Sequence, residues 1–491
     1  MKTPQKRLSR AVALASAALA ACAVSAASIG NVHVVQNKPW SNKVTVTYDL
    51  GDVSAPVDVT VKFFSGTTEL AADAKGKLFG DDLYGVTTGG SKSFSFDPVA
   101  VFGSDAVHIG DFRVRLTVGD SPSNINEVVY KILSLDRSGS VPCEDVTRAD
   151  ILNGRYGSYE TDYSRIGPGF ATSLDDVLIW TGVTNDIAYK TTKLVLRKIP
   201  AAGKSFLMGP GSDPSAKATV SFSNDFWMAV FETTAYQHRL MYRTWIDSNY
   251  SYTAWESQRA QIVDGSVTAS DVTPADYLGW SGIRAHQDSS SPWPASGHDN
   301  SYDWYQIGRL RVMSGGKLFD LPTSAEWEFA ARAGTTTPLP SGKDSGNPDA
   351  DYAEIGRTWL INCKAASSEP GNPNDADTQA GFPTSACSLE YGCNMVGQYR
   401  PNAYGLYDMM GNACEWCLDY RNTNVDYKGT YDGKDDPKGP ADPTWPTAPE
   451  RVLRGGSYRI ATKDVGVVSQ YYAANRLKDF GYRICLHEAN K

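Results

Sequence analysis

The sequence predicts an α+β protein in two parts, an all-β sandwich domain followed by a larger α+β domain with much irregular backbone. Three observations lead there. A chain of 491 residues exceeds what one hydrophobic core ordinarily covers, so at least two domains are expected. A period-two alternation of apolar and polar residues occupies the first part of the chain. After about Arg137 it disappears, and Gly, Trp, Tyr and Pro recur at irregular spacing with few clean helical periods. The composition, 41% hydrophobic and 21% charged with 44 Gly and 26 Pro, describes a folded, loop-rich chain rather than a disordered one. A net charge of −8 offers no basic face for phosphates, which argues against nucleic acid as a partner.

Taken in order, residues 1–27 read as a signal peptide. Lys2, Lys6, Arg7 and Arg10 precede an uncharged Ala/Leu/Val run over 11–24, and Ala26 or Ala27 offers a small-residue cleavage site. The run is shorter than the roughly 20 residues needed to span hydrocarbon. The tetrapeptide LAAC ending at Cys22 supplies a second reading, a lipoprotein signal in which lipid on Cys22 is the one route to a membrane. Either way export is expected, with the mature chain periplasmic, extracellular or lipid-anchored at the cell surface. Export would leave seven cysteines, an odd number, and Cys387 with Cys393 is the pair expected to form a disulfide.

Residues 28–136 carry the sandwich. Val44, Val46, Tyr48 and Leu50 alternate with polar residues, as do Val57, Val59, Val61 and Phe63, then Phe94 and Phe96, then Phe112, Val114, Leu116 and Val118, and residues 128–135 close the set. Residues 137–190, rich in Gly, Ser, Asp and Tyr, read as an extended linker. The second domain, 191–491, opens with a strand over 192–199. Its best helix is 323–332, with Thr323 as N-cap, Glu326 completing a capping box and Gly334 as the stop. A second helix is expected over 233–242.

Six segments then follow one another: LVLRKIPAAGKSFLMG from Leu194, FWMAVFETTAYQ from Phe226, LPTSAEWEFAARAG from Leu321, NAYGLYDMMGNACEWCLDY from Asn402, RVLRGGSY from Arg451 and GYRICL from Gly481. In order and approximate spacing the chain resembles the formylglycine-generating-enzyme (sulfatase-modifying factor) family over about residues 192–487. The resemblance implies an irregular α+β fold, distantly like C-type lectin domains and often calcium-bound. It places the family's calcium site on Asp408, Gly411, Ala413 and Glu415, the middle two through carbonyl oxygens, and the oxygen-rich stretch DMMGNACE suits a hard cation. The competing reading has Asp408 capping a turn and Glu415 paired with an arginine such as Arg454. A second calcium site would begin at Glu354 and Ile355 and draw on Asp375 or Asp377.

Catalysis is where the chain departs from the family, whose oxidases bind copper through two cysteines after the GGSY turn. Here those positions hold Ile460 and Val465, and no cysteine lies between Cys417 and Cys485. Aliphatic side chains cannot replace thiolates as copper ligands, so copper is not expected. The C-x-x-C of Cys414 and Cys417 sits inside the calcium-loop segment, and the six histidines show no pair at ligand spacing; a structural disulfide, for instance Cys417 with Cys485, or plain packing is the reading preferred over a redox or zinc motif. The three-histidine iron site of the sulfoxide synthases in the same superfamily has no counterpart, and no G-x-S-x-G elbow or P-loop is present. The expected function is therefore a noncatalytic, calcium-stabilised binding or accessory module for a protein or glycan ligand. The alternative is a sulfatase-maturation-type oxidoreductase, or another enzyme using different residues of the same cleft.

Overall fold

A computed structural model of the chain describes residues 27–36, 41–103, 109–136, 143–162, 177–209, 216–242, 267–276, 278–284, 305–337, 339–340, 393–421, 427–440, 450–458, 470–473 and 479–488. Residues 1–26, including Cys22, lie outside them, as do Glu354, Ile355, Asp375, Asp377, Cys387, Ile460 and Val465. The described residues divide into two units. One runs to Val129 and includes Val146–Tyr159 and Trp180–Val183; the other holds Tyr130–Asp145, Glu160–Ile179 and the chain from Thr184 onward.

In the first unit the alternation becomes strands, because side chains two apart share a face and the apolar set must be buried. Strands β1 (Ser28–Gln36), β2 (Val44–Gly51) and β3 (Val57–Ser65) are followed by two short ones, β4 (Thr68–Glu69) and β5 (Phe79–Gly80), then by β6 (Gly90–Phe96) and β7 (Phe112–Asp120). They form two sheets, in the orders β1-β2-β6-β5 and β4-β3-β7. The β3/β7 register sets Val59 opposite Val118, Val61 opposite Leu116 and Phe63 opposite Val114. Both sheets contribute to one apolar core. At its centre Phe63 lies 5.1 Å from the ring of Phe96 and 5.2 Å from that of Phe102, in the edge-to-face arrangement that aromatic quadrupoles favour.

This unit is not all-β as expected. Helix α1 (Pro98–Phe102) follows β6, started by Asp97, whose Oδ1 accepts from Val99 N at 2.9 Å, and by a proline at a position where the missing N–H costs nothing. Five residues are too few to show a helical period, so only the cap residues could have announced it. The segment 137–190 also holds more than an extended chain: β9 (Glu144–Thr147), α2 (Arg148–Leu152) with a Thr147/Asp150 capping box, and the 3-10 turns Thr181–Thr184 and Ile187–Lys190.

Strand β8 (Val128–Ser134), expected to close the first set, instead joins the sheet of the second unit. Its residues Tyr130 to Ser134 pair antiparallel with β10 (Lys193–Ile199). Nearly continuous burial along β8, from Val129 through Leu133, is the mark of a strand covered on both faces. The sheet order is β14-β20-β13-β10-β8-β9, with β13 (Phe226–Ala229), β14 (Leu318–Asp320) and β20 (Cys485–His487). A second sheet runs β18-β17-β15-β19, from β15 (Cys414–Tyr420), β17 (Arg451–Arg454), β18 (Gln470–Ala473) and β19 (Phe480–Gly481). A third, β11-β12-β16, uses β11 (Ser205–Met208), β12 (Ala218–Ser221) and β16 (Lys434–Asp435).

The helices here are α3 (Ala235–Tyr242), α4 (Trp280–Arg284), α5 (Gln306–Met313), α6 (Ser324–Arg332) and α7 (Tyr427–Tyr431). Helix α6 begins as the sequence indicates: Glu326 N donates to Thr323 Oγ1 at 3.1 Å, and Thr323 N donates back to Glu326 Oε2 at 2.8 Å. It ends one residue before the expected glycine, at Ala333 with φ 45°, and Gly334 follows at φ 89°. Every residue of α6 is buried, so it is a core helix of an α/β unit made mostly of sheets. No helix among the described residues is long and apolar enough to cross a membrane.

Candidate functional site

The segment leading into β15 makes its turn with three left-handed residues, Asp408 (φ 56°), Gly411 (φ 80°) and Asn412 (φ 63°). Asp and Asn tolerate this region better than other side-chain-bearing residues, but a conformation of this kind persists only where neighbours hold it. Here they do. Gly411 N donates to Gly455 O, and Tyr458 N donates to Asn412 O, both at 2.9 Å, so the GGSY turn clamps the loop from one side. Asn412 Nδ2 donates to Glu232 Oε2 at 2.6 Å, and Ala413 N donates to Glu232 Oε1 at 2.9 Å. Asn412 Oδ1 accepts from Asn394 N at 2.8 Å.

Three buried carboxylates gather around this loop: Glu232, Asp408 and Glu415, none more than 3% exposed. Glu415 is fully engaged. Arg483 reaches it through Nε at 3.0 Å and through a terminal nitrogen at 2.7 Å, and Trp327 Nε1 donates to its other oxygen at 2.6 Å. The remaining Arg483 donors go to the carbonyls of Ala229, Val230 and Tyr407, so one guanidinium ties β13, the loop and β20's approach together. The arginine that sequence reasoning offered to Glu415 is differently used: Arg454 donates to Ser324 Oγ at 2.9 and 2.6 Å and lies 3.2 Å from Glu328.

Asp408 is engaged on one oxygen only. Gly397 N donates to Oδ2 at 2.6 Å, while Oδ1, although buried, has no hydrogen-bond partner among the described residues. Burial pushes the Asp408 carboxyl up to about 6, opposed by the Gly397 N–H, Arg483 and Lys190. Burial pushes Glu232 well above the usual carboxylate range, reinforced by Asp408 and Glu415. Lys190 is held below its ordinary value by burial, with Asp408 drawing it back. Negative charge thus outweighs what Arg483 and a desolvated lysine return, a balance that protons or a bound cation can correct. At Asp408 a cation such as calcium would meet a bare carboxylate oxygen. At Glu415 a cation would have to share the carboxylate with Arg483 and Trp327.

Of the residues the resemblance assigns, Asp408, Gly411 and Ala413 lie in the loop before β15, and Glu415 is the second residue of that strand. Sequence reasoning missed Glu232, Arg483 and Asn412, although FETT and GYRI were already among the recognised segments. Glu232 and Arg483 are core positions, remote in sequence from the loop, and only the sheets bring them to it. The C-x-x-C is not a dithiol: Cys414 and Cys417 lie three apart on β15, and such positions face opposite sides of a strand. Both are free thiols, as is Cys485, and no disulfide links any described cysteines. Burial holds all three thiols well above their ordinary range, which suits packing and not nucleophilic chemistry.

A family model described as the sulfatase-modifying factor enzyme 1-like domain matches residues 188–486, more than half of the chain. The formylglycine-generating enzyme of Streptomyces coelicolor is 34% identical over 143 residues, covering 28% of this chain and 35% of that protein. That of Bos taurus is 32% identical over 141 residues, 28% of this chain and 29% of that protein. The chaperone protein LppX of Paenibacillus barcinonensis is 26% identical over 180 residues, 36% of this chain and 51% of that protein. The matched stretch thus spans about a third of the length of the two enzymes. Among solved structures, Treponema denticola variable protein 1 is 20% identical with a TM-score of 0.37, covering 60% of this chain and 95% of its own. PvdO from Pseudomonas aeruginosa is 18% identical at the same TM-score, covering 60% and 94%. On the family match and the segments it contains, the chain belongs to the sulfatase-modifying factor enzyme 1-like family.

Proposed function

We propose that this chain is an exported, calcium-stabilised member of the family that has lost copper-dependent oxidation and acts by binding a partner, a protein or a glycan. The observation that carries the reading is the pair Ile460 and Val465 at the positions where the family's oxidases place cysteines, with no cysteine anywhere from residue 418 to 484. Hydrocarbon side chains cannot hold copper. The frame around the missing chemistry is intact: Ser457 Oγ donates to Asp479 Oδ2 at 2.5 Å, and Arg454 is fully buried and bonded. A family fold kept in order without its metal ligands fits a scaffold better than a catalyst. The calcium part of the proposal is supported by the unpartnered Asp408 Oδ1, and the export part by the basic and apolar pattern of residues 1–27.

The second reading, a sulfatase-maturation-type oxidoreductase or another enzyme in the same cleft, is favoured by the 34% identity to the Streptomyces coelicolor enzyme. One experiment separates them. A peptide carrying the sulfatase cysteine motif, incubated with the full chain, copper and oxygen, is expected to keep its thiol. Aldehyde formation above a no-protein control would establish the oxidoreductase instead.

A further inference from the structure

Away from the carboxylate loop, a second buried cluster lies where the start of α6 meets β20, the second strand of the large sheet. Cys485 and His487 are two apart on β20 and therefore share a face. Helix α6 presents Glu326 to that face: its two carboxylate oxygens lie 3.1 and 3.2 Å from His487 Nε2. One sulfur, one imidazole nitrogen and one carboxylate oxygen, from Cys485, His487 and Glu326, all lie within 4.8 Å of one another. Cys485 is 0% exposed and Glu326 8%, so this is no chance gathering of surface groups.

We propose that Glu326, Cys485 and His487 form a binding site for a borderline divalent metal ion, with zinc as the occupant. The donor set argues for zinc. Thiolate and imidazole beside a carboxylate suit zinc, whereas calcium takes oxygen ligands and would reject the sulfur. The size argues likewise. Zinc bonds of about 2.0–2.3 Å set neighbouring donors in a tetrahedron roughly 3.3–3.8 Å apart, so the nitrogen and oxygen, 3.1 Å apart, are already close enough and the sulfur need approach by no more than about 1.5 Å. Nearby Asp320, opposite Cys485 in the β14/β20 register, is already taken: Arg284 holds Oδ1 at 2.8 Å and Arg311 holds Oδ2 at 2.8 Å. It orders the surroundings, whereas Glu326, whose Oε2 holds the Thr323 N–H of the capping box at 2.8 Å, offers Oε1 to the metal. A metal here would staple the N-terminus of α6 to β20, a structural use. The proposal rests on neither the calcium reading nor the fate of copper.

The test uses the full chain, freed of metal and titrated with cobalt(II) as a spectroscopic stand-in for zinc. The expected result is a near-ultraviolet sulfur-to-cobalt charge-transfer band with tetrahedral visible bands, saturating at one equivalent and abolished by zinc. Cys485→Ala should lose the sulfur band, while Cys414→Ala, a buried thiol outside the cluster, should keep it. If Cys485→Ala does not fold, His487→Gln serves in its place, with cobalt affinity expected to fall at least tenfold. No sulfur band at one equivalent on the native chain, or a band that survives Cys485→Ala, overturns the proposal. Carboxylate-bound calcium gives no such band, so failure here leaves the reading of the Asp408 loop where it stood.

Discussion

The two units of this chain are stabilised in opposite ways. In the strand-rich first unit the core consists of Val, Leu, Ile, Tyr and Phe, and its ion pairs, such as Lys62 with Glu69, stand about half exposed at the surface. In the family unit, charges go inside: Glu232, Asp320, Glu328, Asp419, Arg454 and Arg483 are all fully buried. Alternating strands can bury a continuous apolar face with few polar consequences. A loop-rich interior cannot, because irregular backbone carries carbonyls and N–H groups that no ladder satisfies. Arg483 is the answer at one such place, serving three carbonyls and a carboxylate at once.

The largest effect should come from breaking that arrangement. Arg483→Met is expected to destabilise the family unit by about 4–5 kcal/mol, because it strands a buried carboxylate and three carbonyls; a loss below about 1 kcal/mol on chemical denaturation would erase the contrast between the units. Phe63→Ala should cost the first unit about 3–4 kcal/mol through the cavity it leaves, read by the same method, and that loss should be insensitive to salt.

A pH series sharpens the comparison. Partly buried His238 bonds Tyr482 Oη at 3.0 Å and Gln306 Nε2 at 3.2 Å, and desolvation followed by Arg239 brings its pKa down to about 4. The folded state therefore binds fewer protons than the unfolded state between about pH 4 and the unfolded histidine value of about 6.5. Stability from this group is complete above that window and is lost as pH falls through it, by up to about 3 kcal/mol. His238→Gln should flatten the slope over that window. A slope unchanged by the substitution removes His238 as its source.

Calcium at about a hundred times its dissociation constant should stabilise the family unit by about 2.7 kcal/mol, seen as a melting temperature that falls on chelation, and Asp408→Asn should remove most of that response. Glu415→Ala is a poorer probe, because it also removes the carboxylate partner of Arg483. The smallest effect belongs to Lys62→Ala, within about 0.5 kcal/mol, as expected for an exposed pair. A larger loss would mean that the first unit also depends on its charges.

Much of this was written in local pattern. Period two gave β2, β3 and β7 to within two residues and the end of β6 at Phe94 and Phe96, and the capping box at Thr323 and Glu326 gave α6. The motif around Asp408 located the candidate calcium loop, with its left-handed backbone foreshadowed by Gly411. Short caps and strand partners were less legible. Helix α1 rests on Asp97 and Pro98 alone, and β8 has the same alternation-poor apolar look whichever sheet receives it.

By itself, then, the sequence determined the main strands of the first unit and β10, that the chain carries the family's motifs, and that no cysteine lies between Cys417 and Cys485, since each follows from residues near one another in the chain. Tertiary structure alone decided that β8 pairs with β10, that Arg483 rather than Arg454 answers Glu415, and that Glu326 meets Cys485 and His487 across more than 150 positions. These pairings depend on the order of strands in a sheet and on which face a helix turns inward, and no periodicity within one segment encodes its partner in another.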